Sequence, residues 1–259
     1  MIDIKTPEQI KSMQAGGKIL SDVMWEVCKA VKPGVSELEL DALAERLIRG
    51  HGAEPGFMKV PGYRHTICAC TNDVVVHGIP REYRLKEGDI IDIDCGVFYE
   101  GFHTDMCETV RVKTPNSNLK SQNEEKIDKF LEIGKKALNE AIKVAVGGNR
   151  IGHISKTVQD IVEKDGGYSI VLSLIGHGVG RDLHEEPEVP GYLDRPIERT
   201  PLLKPGMTIA IEVIYNMGQP DVVYSGGDDW TIVSKDGSLS AVFERSVAIT
   251  DGAPIVLTP

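Results

Sequence analysis

Apolar residues in the first fifty positions recur at spacings of three, four and seven, which is the period of an amphipathic helix. Residues 6–9, TPEQ, form a capping signal, and the apolar stripe that follows stops at Pro33. Ser36 and Glu39 form a second capping signal, and the helix that they open ends at Gly50. The sequence therefore predicts two consecutive helices at the start of the chain.

A similar pair of helices is predicted farther along. Residues 126–146 end at two glycines, and residues 152–165 end at two more. Because residues 29–34 also resemble residues 143–148, the two helix pairs indicate a diverged duplication. The alternative interpretation is a coincidence between two amphipathic patterns.

Each helix pair is followed by a turn and an alternating run, LKEGDIIDID at residues 85–94 and LKPGMTIAIE at residues 203–212. Alternation in a strand places Ile91 and Ile93 on one side and Asp94 on the other. The second run repeats this arrangement. The layout predicts one α+β domain over residues 1–259, whose halves, about 1–115 and 116–259, pack a shared sheet with a site at their junction.

Composition and charge narrow the class of protein. Apolar residues make up 41% and charged residues 26% of the chain, which are ordinary globular values. A net charge of -10 opposes binding to nucleic acid, because phosphates would be repelled. The chain has no apolar run of the roughly 18 residues that span a bilayer and no secretion signal, so we expect a cytoplasmic protein.

The five cysteines form no C-x-x-C pair, and their odd number argues against a disulfide framework. Cys68 and Cys70 raise the possibility of a metal site. The alternative is a pair of small buried thiols on one face of a strand, which is the more common arrangement.

Four acids lie in or beside strand-like sequence. Asp94 and Glu212 interrupt otherwise apolar runs, where an unpaired carboxylate would cost several kcal/mol of desolvation. Asp105 lies in GFHTD and Glu244 in AVFERSVAI. Each acid alone is more often a surface or ion-paired residue, but the combination indicates concentrated positive charge. Arg245 is a poor local counterion, because successive strand side chains point to opposite faces.

Three histidines, His77, His177 and His184, lie beside glycines or in the loop segment GHGVGRDLHEEP. The others, His51, His65, His103 and His153, fit solvated or core positions. One imidazole with four carboxylates suits Mn, Fe, Co or Zn better than a thiolate-rich structural zinc site. So many acids favour two ions about 3.5–4 Å apart, an arrangement associated with hydrolysis.

The motifs VVVHGIP, IDIDCG, GFHTD, GHGVGRDLHEEP, IAIE and FE, in this order, resemble those of type I methionine aminopeptidases over nearly the whole chain. The resemblance implies the pita-bread fold, in which two pseudo-twofold halves surround a shared antiparallel sheet. It also implies removal of the initiator methionine from nascent proteins, with preference for a small second residue. The reaction would be attack of a metal-bridging hydroxide on the first peptide bond.

The resemblance assigns a role to each metal-binding candidate. Asp94 would chelate one of two divalent ions, His177 and Glu212 would bind the other, and Asp105 and Glu244 would bridge both. Glu212 would also shuttle the proton.

Other matched positions imply contacts with the substrate. His77 would contact it near its amino end, and His184 would hydrogen-bond the scissile carbonyl. Tyr63, Cys68 and Trp230 would line the methionine pocket, although Trp230 could equally be a packing aromatic.

Three positions depart from the family pattern: Leu183 stands where some relatives have an aromatic residue, Arg245 where many have histidine, and Thr104 where a smaller residue is frequent. Because of these departures, the sequence does not determine the shape of the pocket or the hydrogen bonds made to the metal ligands by residues around them.

Two alternatives belong to the same fold. A prolidase or aminopeptidase P usually has an extra N-terminal domain, for which a first helix beginning near residue 6 leaves no room. A non-enzymatic pita-bread binding protein tends to lose ligands, whereas this chain keeps all five. We expect the partners to be N-termini of nascent polypeptides at the ribosome, with no specific nucleic acid and no membrane, and we expect a monomer.

Overall fold

The computed structural model describes residues 2–113 and 122–259. The α-helices are α1 (Pro7–Ala30), α2 (Glu37–Gly50), α3 (Gln122–Val144) and α4 (Ile151–Gln159), and α4 continues as a π-helix over Asp160–Asp165. The strands are β1 (Glu54–Pro55), β2 (Ile67–Thr71), β3 (Val74–Val76), β4 (Ile90–Tyr99), β5 (Phe102–Arg111), β6 (Ser169–Ile170), β7 (Gly176–Gly178), β8 (Glu185–Val189), β9 (Thr208–Asn216), β10 (Val222–Tyr224), β11 (Ile232–Ser234), β12 (Ser240–Ala248) and β13 (Ile255–Val256). Short 3₁₀ turns lie at Phe57–Lys59 and Ile197–Arg199.

The first two helices begin at the predicted capping boxes. Thr6 Oγ1 accepts a hydrogen bond from the Gln9 amide at 3.3 Å, and the Gln9 side chain accepts one from the Thr6 amide at 2.8 Å. Ser36 and Glu39 repeat this pair of bonds at the start of α2. The helix predicted at residue 126 begins at Gln122 instead, with acidic residues in its first turn, where they favour the positive end of the helix dipole.

All the strand pairs of the main sheet are antiparallel, and the order along its main path is β1-β4-β5-β12-β9-β7-β8. The strands β2, β13 and β6 pair with β4, β12 and β9. At the centre, β5 from the first predicted half pairs with β12 from the second. The α+β fold class with a shared antiparallel sheet is therefore confirmed. A smaller sheet has the order β10-β11-β3.

The helices cover one face of the main sheet in two pairs. Helix α1 packs on β4 and β5, and α2 packs on α1, β1 and β2, around a core that includes Leu20, Ile91 and Ile93. Helices α3 and α4 form a second core with β9 and β12, to which Ile209 and Ile211 belong. The apolar side of each alternating run thus faces helices, and the acidic side lies on the opposite face, in agreement with the predicted alternation.

The predicted boundary between the halves, at residues 115 and 116, lies outside the described residues. Within the described ranges, no helix combines the length and the hydropathy that a membrane span requires. The five cysteines are free thiols, and Cys68 and Cys70 are buried in β2.

Candidate metal centre

A single row across five strands carries most of the site. In the antiparallel register Cys68 on β2 lies opposite Asp94 on β4, which lies opposite Cys107 on β5. Cys107 lies opposite Glu244 on β12, and Glu244 lies opposite Glu212 on β9. Because directly opposed residues in a sheet point to the same face, the three carboxylates converge on the face away from the helices.

Asp105 and His177 complete the group of five predicted ligands. Asp105 precedes Cys107 by two residues, so both project from the same face of β5. The His177 Nε2 atom lies 3.4 Å from Glu212 Oε1 and 3.9 Å from Asp105 Oδ2. One ligand atom from each of Asp105, His177 and Glu244 lies within 4.8 Å of the others. The geometry can hold a metal ion.

The His177 ring is oriented by the backbone that follows it. Its Nδ1 atom lies 2.8 Å from the Gly178 carbonyl oxygen, which can only accept, so Nδ1 carries the proton. Burial lowers the pKa of His177 to about 4, so the ring is neutral near pH 7. Its Nε2 lone pair therefore faces the carboxylates, which is the arrangement of an imidazole metal ligand.

The buried carboxyl groups have too few hydrogen-bond donors and cations around them to compensate their negative charge. Burial raises the pKa of Asp94 to about 7, and burial with neighbouring negative charge raises the pKa of Asp105, Glu212 and Glu244 well above the ordinary values. Asp94 Oδ1 and Glu244 Oε1 accept no hydrogen bond from the described residues. No lysine or arginine of the described chain lines the cavity. The donor set therefore fits divalent cations.

Sequence reasoning missed Asp92, a further acid on this face. Asp92 is 2% exposed, lines the cavity and contacts the Cys107 thiol. Burial, followed by the charge of Asp94, raises its pKa well above the ordinary value. The alternation in IDID indicates that Asp92 lies on the same face as Asp94, because residues two apart in a strand share a face.

The cavity in front of the acids has one apolar wall. The predicted residues Tyr63, Cys68 and Trp230 lie in this wall, and the Tyr63 and Trp230 rings are 5.2 Å apart. Phe57, which was not predicted, also lines it. A Cβ at Gly96 would lie 2.8 Å from the Phe57 ring, so the glycine leaves the space that this ring occupies.

The other two predicted histidines, His77 and His184, also line the cavity. His77 has a φ of 55°, an uncommon conformation for a residue with a side chain. A Cβ on the next residue, Gly78, would lie 2.3 Å from the Ala69 carbonyl oxygen, so this close backbone approach requires glycine at position 78. The His184 ring lies 4.4 Å from the His177 ring.

The profile of metallopeptidase family M24 matches residues 11–251. The chain belongs to metallopeptidase family M24. Membership implies that it uses a divalent metal, in agreement with the buried donor set. The methionine aminopeptidase of Clostridium perfringens is 40% identical over 258 residues, a match that covers 100% of this chain and 99% of that protein.

Solved structures of M24 relatives share the fold. The methionine aminopeptidase of Thermotoga maritima superposes with a TM-score of 0.91 at 33% identity, with coverage of 100% of this chain and 99% of that one. The prolidase of Pyrococcus horikoshii, at 24% identity, has a TM-score of 0.74, and the match covers 63% of its chain. The prediction of the pita-bread fold is confirmed.

The three departures from the M24 pattern have different surroundings. Leu183 packs beside Phe57 in the cavity wall. Thr104 is buried at 1% exposure. Arg245 points away from the metal face, as predicted, and donates to Glu108 Oε2 at 2.9 Å behind the sheet. Arg245 therefore stabilises the β5–β12 pair from the side opposite the acids.

The remaining histidines lie away from the cavity in the described structure. His51 follows α2, His65 contacts Asp41, His153 contacts the Arg150 amide, and His103 is buried at 6% exposure.

The raised carboxyl pKa values predict how pH changes the stability of the metal-free protein. In Asp94 and Asp105 the pKa lies above the ordinary value of 3.8, so the folded state binds more protons than the unfolded state. The contribution of these protonated carboxyl groups to the free energy of unfolding is fully present below pH 3.8 and is lost as pH rises towards about 7. We expect the gap in Tm between Mn²⁺-loaded and chelated protein to widen from about pH 5.5 to about pH 7.5, measured by thermal unfolding. If the difference in Tm between the loaded and the chelated protein does not change with pH, Asp94 and Asp105 are not ligands of the metal.

Proposed function

We propose that this chain is a metallo-aminopeptidase that removes the N-terminal methionine from polypeptides. The observation that carries the proposal is the junction of a buried acidic row with an apolar pocket whose wall contains a thiol and aromatic rings. Such a wall suits an unbranched, polarisable thioether side chain. The relatives that match the whole chain are named methionine aminopeptidases, which supports the same substrate.

We further propose that two divalent ions, of Co, Mn, Fe or Zn, occupy the site. Asp94 would hold one ion, His177 and Glu212 the other, and Asp105 and Glu244 would lie between them. Four carboxylates and one imidazole exceed the requirement of a single ion, and the unpartnered oxygens of Asp94 and Glu244 support ligation by both strands.

The chemistry then depends on the residues around the scissile bond. Bound divalent cations would supply an activated water molecule and polarise the first peptide carbonyl. Glu212 would accept the proton of the attacking water and return it to the leaving amine. His184 donates a hydrogen bond to the carbonyl oxygen as negative charge develops there. His77 positions the substrate near its amino end.

The methionine side chain would occupy the apolar wall. Tyr63, Cys68 and Trp230 are joined there by Phe57 and Leu183, and the Tyr63 hydroxyl donates to the Ile67 carbonyl oxygen at 2.8 Å. This bond fixes the ring edge that faces the pocket. Cys68 on β2 lies opposite Asp94 on β4, so the pairing of these two strands positions the pocket relative to the acids.

The proposal predicts selectivity for methionine followed by a small residue. With metal-loaded protein, we expect Met-Ala-Ser to be cleaved at least tenfold more efficiently than Met-Trp-Ser, because the reacting bond lies in a cavity bounded by histidines. Release of free methionine measures the rate. Equal cleavage of the two peptides would contradict the preference.

The same assay separates the related activities. An Ala-Pro dipeptide and an Xaa-Pro tripeptide serve as substrates for a prolidase or aminopeptidase P, and cleavage of these peptides in place of Met-Ala-Ser would favour those activities. A protein that binds metal and cleaves none of the peptides would favour the non-enzymatic alternative.

We propose nascent polypeptides as the physiological substrates. Location at the ribosome and in the cytoplasm, a monomeric state and the division into one domain remain predictions of the sequence.

A further inference from the structure

A second cavity adjoins the metal centre. It shares Val76, His77, His177, His184 and Glu212 with the first cavity. Beyond these residues the linings diverge, because Phe57 and Trp230 belong only to the first cavity and the second extends along β8. We call the second cavity the acid-lined groove, and its distinguishing residues are Leu174, Ile175, Glu186, Glu188 and Ile214.

The floor of the acid-lined groove is apolar. Val76 and Ile214 are buried, and Leu174 and Ile175 are half-buried. An extended peptide can pack the aliphatic stems of its side chains on such a floor. The floor favours occupation by a polypeptide and does not select its sequence.

One wall of the groove carries negative charge. Glu186 and Glu188 alternate with the buried Pro187 on β8, so both project to the same exposed side. Neither side chain forms an ion pair within the described residues, whereas the neighbouring Glu185 is paired with Lys5. Arg195 lines an adjoining cavity together with Glu186 and Glu188, and its charge interacts with that of Glu188 from outside the groove. No lysine or arginine of the described chain lines the groove. The wall therefore presents two exposed charges of one sign.

We propose that the acid-lined groove receives residues three to five of the substrate polypeptide and favours basic side chains at those positions. The proposal rests on the proposed function. An aminopeptidase substrate has one residue before the scissile bond, so the rest of its chain must leave on the side opposite the methionine pocket. The acid-lined groove shares His77, His184 and Glu212 with the metal centre, and its lining includes none of the apolar-wall residues Phe57, Tyr63, Cys68 and Trp230. Three extended residues would span roughly 10 Å of it.

The expected preference for basic side chains is small, because Glu186 and Glu188 are exposed to solvent. Pairs between exposed charges contribute about 0.2–1 kcal/mol, which corresponds to about 1.4- to 5-fold in kcat/KM for each charge pair. Salt screens such pairs, so the preference should shrink at high ionic strength.

The test uses the metal-loaded full chain and peptides of the form Met-Ala-Gly-Gly-Gly-amide, in which Lys, Gln or Glu replaces one glycine in turn. We expect kcat/KM to fall in the order Lys, Gln, Glu for at least one position, with about 2- to 10-fold between Lys and Glu at low salt and less at high salt. Equal rates for the Lys and Glu peptides at all three positions would overturn the proposal.

Variants locate the effect. In Glu186→Gln/Glu188→Gln the ratio between the Lys and Glu peptides should approach one, and Glu188→Gln alone should reduce it. Glu140→Gln is the matched control for Glu188→Gln, because each removes one charge. Glu140 lies on α3 on the far side of the sheet, so this variant should keep the ratio of the unaltered protein. If the double variant keeps the ratio, the preference arises from the net charge of -10 and the groove assignment is wrong. If no methionine is released from any peptide, the proposed function fails instead.

Discussion

Removal of divalent cations with a chelator is expected to abolish the release of methionine from Met-Ala-Ser, and addition of Co²⁺, Mn²⁺, Fe²⁺ or Zn²⁺ is expected to restore it. The reason is the buried acidic row, which lacks enough protein donors to compensate its charge. Without the cations, the activated water and the polarised carbonyl are both lost. Peptide cleavage and metal content should be measured on the same samples.

The control for this experiment is the fold of the chelated protein. The helices form cores with the far face of the sheet, so the helical circular dichroism signal should persist while Tm falls. Activity that survives verified removal of metal would contradict a metal-dependent reaction. A chelated protein that unfolds completely would show instead that the metal is needed to join the strands.

Replacement of Glu212 by Gln is expected to lower kcat by at least about 10²- to 10⁴-fold, the usual contribution of a general base. Glu212 Oε1 lies 3.4 Å from His177 Nε2, so the change would also remove one charged ligand from the ion that we propose these two residues share. We therefore expect weaker binding of one ion and an additional loss of rate. Steady-state kinetics at saturating metal, with metal content measured alongside, separate the two losses.

His77→Ala is the matched comparison for Glu212→Gln. It removes a cavity-lining imidazole but leaves all five proposed ligands in place, so both ions should remain bound. Loss of a positioning contact beside the reacting bond can itself cost about 10²-fold in rate. A His77→Ala protein that fails to bind two ions at saturating metal would show that His77 is not a substrate residue.

The candidate metal centre lies between the predicted halves. Asp94 and Asp105 belong to the hairpin of β4 and β5, whereas Glu212 and Glu244 belong to β9 and β12. The two groups meet where β5 pairs with β12. Arg245 and Glu108 join the same two strands behind the sheet. Metal bound at the proposed site would therefore stabilise the same strand junction from the opposite face.

The sequence by itself determined the local elements of this protein. Capping boxes depend on contacts between residues three apart, so the starts of α1 and α2 could be read directly. Strand alternation has a period of two, which placed Ile91 and Asp94 on opposite faces. The same period places Asp92 on the face of Asp94, although Asp92 was not among the candidate ligands predicted from the sequence.

The tertiary structure alone decided which strands are neighbours and in which register they pair. Asp94 and Glu244 are far apart in the chain, yet each lies opposite Cys107, and a slip of one residue would turn either acid to the helical face. The entry of Phe57 into the pocket depends on the space at Gly96, which no local pattern reveals. The acid-lined groove likewise exists only where β8 approaches the metal centre. Local periodicity specifies the face of the strand on which a side chain lies, whereas long-range strand pairing specifies which residues lie next to it.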